Sequence, residues 1–215
     1  MTVSMTTHER RARQRLQLRQ QILDAARDML VREGYEGLSM RRLAERIDYS
    51  PTAIYLHFKD KQALVYSLCE ETFSKLAAEL ETLEQEGGDP LKRLRKGLER
   101  YVAFGLTNPN HYVPAFILPH PEDVLDAKQQ AQILGADSAS MRALGCLRRA
   151  LADAMQAKKI RKGDPDVMAR AWWTALHGVT SAMIIHHNFP WGDRQAVIDT
   201  LIDGLIASVK MGTKK

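Results

Sequence analysis

Apolar residues recur at three- and four-residue spacing along nearly the whole chain, and no segment sustains the alternation of a half-buried strand. Ile22, Ala25, Ala26, Met29 and Leu30 give a first helix one buried face. Gly34 follows as a stop, and Ser39 can cap a short second helix carrying Leu43, Ala44 and Ile47. Ser50-Pro51 is a strong third start, because proline at the first helical position sacrifices no hydrogen bond. Ile54 and Phe58 turn inward, and Lys59-Asp60 ends this helix after about two turns. Asp60 caps a long fourth helix with Leu64, Leu68, Leu76, Leu80 and Leu83 along one side, closed by Gly87-Gly88-Asp89-Pro90. A helix from Leu91 to Leu106 then stops at Asn108-Pro109-Asn110, and a short piece from His111 to Leu118 ends at Pro119-His120-Pro121. A long helix from Asp123 to Lys159 should break near Gly135, and Asp164-Pro165 opens another running to Asn188. Pro190-Trp191-Gly192 is a turn, and Asp193 caps a last helix to about Lys210. The expected fold is all-α, of about nine helices and without internal repeats.

With 215 residues there is material for one large helical domain or two small ones, each with its own core. Apolar residues at 45% and charged residues at 27% exclude a disordered chain, a collagen-like chain and a polytopic membrane protein. No apolar run reaches the length of a membrane-spanning helix, and the polar, then basic, stretch from Met1 to Arg15 does not read as a secretory signal. Cys69 and Cys146 are too few for a disulfide scaffold, so a reduced, cytoplasmic setting is expected.

The net charge of +5 is unevenly placed: residues 1–66 carry 12 basic against 8 acidic side chains, the remainder 19 against 18. The excess is densest in Glu9-Arg10-Arg11-Ala12-Arg13-Gln14-Arg15. Residues 1–15 read as a basic arm suited to phosphates, since each neutralised phosphate releases condensed counterions; a solvated tail has the same composition. After it, two short helices joined by a tight turn and braced by longer ones have helix-turn-helix geometry at about 39–58. In that geometry the Ser50–Phe58 helix enters the major groove, presenting Thr52, Ala53, Tyr55, Leu56 and His57. Thr52 can hydrogen-bond base edges, with Ser50 beside it, and Ala53 can touch a thymine methyl. Tyr55, His57 and Lys61 have tips suited to phosphate oxygens, while Ser39, Arg41 and Arg42 face the backbone or the groove rim. The same residues could also be the solvated face of a three-helix core.

The order of residues decides between these. Ser39-Met40-Arg41-Arg42-Leu43-Ala44-Glu45-Arg46-Ile47-Asp48-Tyr49-Ser50-Pro51-Thr52-Ala53-Ile54-Tyr55-Leu56-His57-Phe58, followed by Lys61 and Leu64, closely resembles the DNA-binding segment of the TetR family of transcriptional regulators. The resemblance runs from about Leu16 to Phe73 and includes Ile22-Leu23-Asp24-Ala25-Ala26 and Gly34-Tyr35. Two positions depart from the pattern. Asp48 stands where the family has a turn glycine, and aspartate tolerates a left-handed backbone better than most residues. Tyr49 stands where a small aliphatic residue is usual. The resemblance implies a DNA-binding domain at 16–73 and a ligand-binding and dimerisation domain at 74–215. It also implies a homodimer on a palindromic operator of double-stranded DNA, with half-sites about 34–36 Å apart or a multiple of one turn.

Farther on, Trp172-Trp173-Thr174-Ala175-Leu176-His177-Gly178 is similar to a Trp…His-Gly pattern found in one C-terminal subgroup of the same family. Trp173 and His177 share a helix face, and a buried histidine there needs a polar partner, which a ligand can supply. Tyr101, Phe104, Tyr112, Phe116, Leu147 and Met183 complete a candidate site for a mainly apolar effector, though the same list fits a dry core. The last helix carries two adjacent apolar rows, Val197, Leu201, Leu205 and Ile198, Ile202, Ile206, Val209, wider than one-sided packing needs. With the helix before it, whose Gly178 and Ala182 permit close approach, it is expected to form a four-helix dimer interface.

His186-His187 point about 100° apart on a helix and cannot ligate one ion, so neither metal nor cofactor is expected. Cys146 lies in the apolar row of Leu144, Leu147 and Leu151 and reads as an inert thiol. No nucleophile elbow, phosphate loop or dinucleotide fingerprint suggests catalysis. The expected function is a ligand-responsive repressor, without enzymatic activity or a membrane partner. The alternatives are a helical small-molecule-binding or enzymatic protein keeping an idle helix-turn-helix, and a non-specific DNA binder.

Overall fold

The computed structural model describes residues 6–118 and 127–210. Among these the fold is all-α, with one isolated antiparallel bridge between Ile160 and Lys210. The helices are α1 (Thr7–Gly37), α2 (Met40–Arg46), α3 (Pro51–Tyr55), α4 (Lys61–Gln85), α5 (Pro90–Thr107), α6 (Pro109–Tyr112), α7 (Ala127–Leu134), α8 (Ala139–Gln156), α9 (Pro165–Ile185) and α10 (Arg194–Val209). A π-helical turn, Val113–Ile117, follows α6. No helix among the described residues is long and apolar enough to cross a membrane.

Side-chain oxygens start the helices where the sequence places them. Ser39 accepts from the Arg42 amide, Ser50 from Ala53, and Asp60 from Ala63. Asp89, Asp164 and Asp193 each accept from two amides of the helix that follows, two of these helices beginning with proline. Gly34 (φ +70°) breaks α1 before its last residues, and Gly87, Gly88 and Gly192 also have positive φ. Ser138, which caps α8 beyond the break near Gly135, was not foreseen. The long helix expected from Asp123 is α7 and α8; residues 119–126, with Pro119-His120-Pro121, lie outside the described residues. The helix expected to reach Asn188 ends at Ile185.

The chain divides into two compact units. The first comprises residues 6–69 and 113–118 of those described. Its core joins Ile22, Leu23, Ala26, Met29 and Leu30 of α1 to Leu43 and Ala44 of α2, Ile54 of α3, Phe58, and Leu64, Val65 and Leu68 of α4. Burying each of the larger of these side chains is worth about 1.5–3 kcal/mol, which a five-residue helix like α3 requires, because alone it would not form. The π turn packs on α1, with Pro114 and Ala115 buried and the Cys69 thiol 4.0 Å from the Pro114 carbonyl oxygen. Sequence order places these residues in the C-terminal domain and the boundary at 73; in the structure the first unit ends at Cys69 within α4 and takes up the chain again from Val113. Residues 7–15, read from charge as an arm, form the opening turns of α1 under a capping box of Thr6 and Glu9.

The second unit comprises residues 70–112 and 127–210 of those described. α5, α8 and α9 pack on one another and α10 packs on α5. The Arg142 guanidinium forks onto Glu81 at 2.9 and 2.7 Å, and that of Arg149 onto Glu84 at 2.8 and 3.1 Å, tying α8 to α4 by bidentate pairs.

Candidate functional site

In the first unit, α2 and α3 meet through a turn closed by the Tyr49 amide donating to the Ala44 carbonyl at 3.0 Å. Asp48 takes φ +56° there, the left-handed conformation expected of a residue replacing glycine. Ile54 is fully buried under α3, which leaves Thr52, Tyr55 and Leu56 exposed and Ala53 half-buried. Leu56 is 73% exposed and Tyr55 53%, so no part of the unit covers the large side chains at this end of α3. Tyr49 is 43% exposed, next to the Ser50 cap of α3.

The other candidates divide by what already holds them. Ser39 and Ser50 spend their hydroxyl oxygens on the α2 and α3 caps. Arg41 is exposed beside Glu45 of its own helix. Arg42 pairs with Glu33 at 2.6 Å and donates to the Gly37 carbonyl at 2.7 Å, bracing α2 against the end of α1. The Lys61 ammonium sits 3.6 Å from the centre of the Tyr35 ring, and burial holds its pKa below the ordinary lysine range. Half-buried His57 is held below the ordinary imidazole value by burial and by the charges of Arg15 and Arg19. Arg19, whose guanidinium lies 5.0 Å from the Phe58 ring centre, was not singled out in the sequence, although its spacing from Arg11 and Arg15 aligns the three on α1.

In the second unit, four of the eight effector candidates form one hydrogen-bonded chain. Trp173 Nε1–H donates to the Tyr101 hydroxyl at 3.1 Å, the Tyr101 and Tyr112 hydroxyls are 2.9 Å apart, and the Tyr112 hydroxyl is 2.8 Å from His177 Nδ1. A neutral His177 protonated at Nε2 lets every donor point the same way, from Trp173 through both tyrosines to Nδ1. The indole stacks on the imidazole at 5.4 Å, and Ser181, missed in the sequence, lies 3.4 Å from both ring nitrogens. Burial raises both phenols, that of Tyr112 to about 12, so both remain protonated. The polar partner that His177 requires is thus a protein hydroxyl rather than a ligand. Trp173 is 37% exposed, which leaves that end of the chain reachable. Phe104 and Met183 are buried, Leu147 is half-buried, and Phe116 belongs to the π turn of the other unit. Cys146 is buried, and burial pushes its thiol up to about 11, which suppresses the reactive thiolate.

The lowered His177 pKa makes a testable statement about stability. Below the ordinary value of 6.5 the unfolded chain takes up a proton that the folded chain resists. Stability should therefore fall as pH drops through that value and level off once folded His177 also titrates. Urea midpoints of wild type and His177→Gln between about pH 7.5 and pH 5 check this: the variant should show the shallower decline, and equal declines would refute the assignment. His57 shifts in the same direction, so the difference between the two proteins is the informative quantity.

Comparisons with known proteins fall on both units. The family model described as "Bacterial regulatory proteins, tetR family" matches residues 22–68, and "Tetracyclin repressor-like, C-terminal domain" matches residues 94–207. An HTH-type transcriptional repressor of Mycobacterium tuberculosis is 43% identical over 60 residues, covering 28% of this chain and 32% of that protein. The HTH-type transcriptional repressor AcnR of Corynebacterium efficiens is 37% identical over 84 residues, covering 39% of this chain and 43% of its own. These matches thus span less than half of the relatives' length. Among solved structures, a tetR-family regulatory protein from Rhodococcus superposes with a TM-score of 0.75 at 19% identity, over 91% of this chain and 98% of that one. FadR of Bacillus subtilis, solved with stearoyl-CoA, gives 0.73 at 17% identity, over 87% and 97% of the two chains.

Proposed function

This chain belongs to the tetR family of bacterial regulatory proteins, and we propose that it is a cytoplasmic, homodimeric transcriptional repressor whose operator affinity falls when a small, mainly apolar effector binds. The observation that carries the reading is α3: a five-residue helix capped by Ser50, anchored by one buried isoleucine, presenting side chains that nothing in its unit covers. Thr52 and Ala53 would read base edges, with exposed Leu56 against thymine methyls. Arg41, Tyr55, His57 and Lys61 would meet phosphates. Ser39, Ser50 and Arg42 would act through their caps and brace, holding the turn at the angle that α3 needs. The homodimer would form through α9 and α10 and present two recognition helices to a palindrome. The family-model match over residues 22–68, with repressors 43% and 37% identical over 60 and 84 residues, supports the DNA-binding part of this reading.

The effector would enter beside the stacked Trp173 and His177 rings, where the Trp173 end of the hydrogen-bonded chain is reachable. There a carbonyl could take the Tyr112 hydroxyl from His177 and reset the contacts of α9 with α5. Acyl coenzyme A esters are the first compounds to try, their acyl chain and thioester carbonyl supplying the apolar part and the acceptor, because FadR was solved with stearoyl-CoA and AibR with isovaleryl coenzyme A and operator DNA. Effector and operator would then weaken each other's binding by the same factor.

The deciding experiment is to incubate the purified protein with fragmented genomic DNA at near-physiological salt and sequence what it retains. A two-fold symmetric site should be enriched. Retention without enrichment would indicate a non-specific binder, and no retention would overturn the reading. On the enriched site, Lys61→Ala or Tyr55→Phe should weaken binding to all sequences alike, whereas Thr52→Ala should relax preference at one position per half-site by about 1–3 kcal/mol. A Thr52→Ala protein with unchanged affinity and preference would remove α3 from the groove.

A further inference from the structure

The opening turns of α1 bury none of their side chains within their own unit. Residues 6–17 are exposed at every position, Leu16 at 69%, so no apolar face is buried to hold them helical. They are helical nevertheless, with Thr6 and Glu9 closing a capping box in which Glu9 accepts from the Thr6 amide at 2.7 Å. From Thr7 to Arg19 the sequence holds five arginines against the single carboxylate Glu9. Arg11, Arg15 and Arg19 recur every fourth residue and therefore form one stripe. The inner end of that stripe is fixed: Arg19 lies over Phe58 and, with Arg15, close to His57, immediately after α3. The stripe thus starts beside the recognition helix and continues outward for about 18 Å, at 1.5 Å per residue from Arg19 back to Thr7.

We propose that these turns of α1 bind the sugar–phosphate backbone of operator DNA beyond the base pairs read by α3, with Arg11 and Arg15 each neutralising a phosphate. The inference rests on the DNA-binding reading above. It adds a footprint wider than the bases recognised and an affinity that depends on flanking DNA of any sequence. Charge complementarity selects the occupant: the stripe is cationic, exposed at Arg11 and Arg15, and runs on from the site where the duplex would lie. Guanidinium groups at one-turn spacing along a rigid helix suit a backbone whose phosphates recur at regular intervals.

The test uses the full-length protein and two duplexes containing the enriched site, one trimmed to the palindrome and one extended by about one helical turn on each side. Wild type should bind the extended duplex more tightly, and Arg11→Gln/Arg15→Gln should bind both equally. On the extended duplex the double variant should lower the slope of log affinity against log salt by about 3.6, from two phosphates in each of two protomers at 0.9 per phosphate. Its preference among operator sequences should not change. Equal binding of the two duplexes by wild type, or an unchanged salt slope in the variant, overturns the proposal while leaving the reading of α3 intact. Failure of wild type to bind either duplex overturns both.

Discussion

Gly105→Ala should destabilise the second unit although Gly97→Ala, eight residues earlier on the same helix, should stabilise it. A Cβ at Gly105 would fall on the Thr180 Cγ2 and 2.9 Å from the Tyr112 ring, whereas a Cβ at Gly97 meets nothing within 4 Å. Thr180 and Tyr112 are both fully buried, and the Tyr112 hydroxyl is committed to Tyr101 and His177. Tyr112 cannot yield without moving the hydrogen-bonded chain, and Thr180 is held by its hydroxyl donating to the Leu176 carbonyl at 2.7 Å. Overpacking of this kind costs about 1–3 kcal/mol, while glycine to alanine in an open helix position gains up to about 1 kcal/mol. Gly105→Val should be worse than Gly105→Ala, because its two added methyl groups have nowhere to go. Urea denaturation of the three variants measures this directly. If Gly105→Ala proved as stable as Gly97→Ala, α5 and α9 would not approach as closely as described. Because the displaced ring is Tyr112, the same variant should also lower effector affinity if the chain from Trp173 to His177 is the effector's entry.

This contrast shows where the sequence is legible and where it stops. Both glycines sit inside one helical run, and nothing in local spacing separates them, since their difference depends on a helix about eighty residues away. Caps and turns behave otherwise. Ser39, Ser50, Asp60, Asp89, Asp164 and Asp193 act on amides two or three residues ahead, so the code for each helix start lies within the segment it starts. Asp48 is legible for the same reason: its positive φ is a property of the turn and of the residue's own short side chain. Long-range pairing left no such mark. The Tyr35 ring under Lys61, the Arg42 pair with Glu33, and the return of Val113–Ile117 to α1 each require knowing how helices cross. The Trp173 and His177 stacking is intermediate, because i, i+4 spacing predicts the pair, but Tyr112 and Tyr101 enter from α6 and α5.

Gly178→Arg should leave the fold intact and abolish high-affinity operator binding. Gly178 is exposed and a Cβ there meets nothing within 4 Å, so a longer side chain can start outward in an isolated protomer. It lies in a row on α9 of Val167, Ala171, Thr174 and Ile185, all exposed, Val167 at 61% and Ile185 at 48%. On α10 the row Ile198, Ile202, Ile206 and Val209 is buried, while Ala196, Thr200, Gly204 and Ala207 are exposed. Small residues at one-turn spacing on two consecutive helices would allow a second copy to approach closely if both face it, and one guanidinium per protomer would then place like charges against each other in a desolvated seam. Sedimentation should show a monomer, with helical content near that of Gly178→Ala and a urea midpoint that no longer depends on protein concentration. Joining two DNA-binding units raises avidity by about 10²–10⁴, so the monomer should lose at least about a hundredfold in affinity for a palindrome while keeping the wild-type preference on a single half-site. A Gly178→Arg protein that remained dimeric would move the interface away from α9. One that became monomeric yet bound the palindrome unchanged would show that each protomer reads its half-site independently, and the spacing of the half-sites would then carry no information.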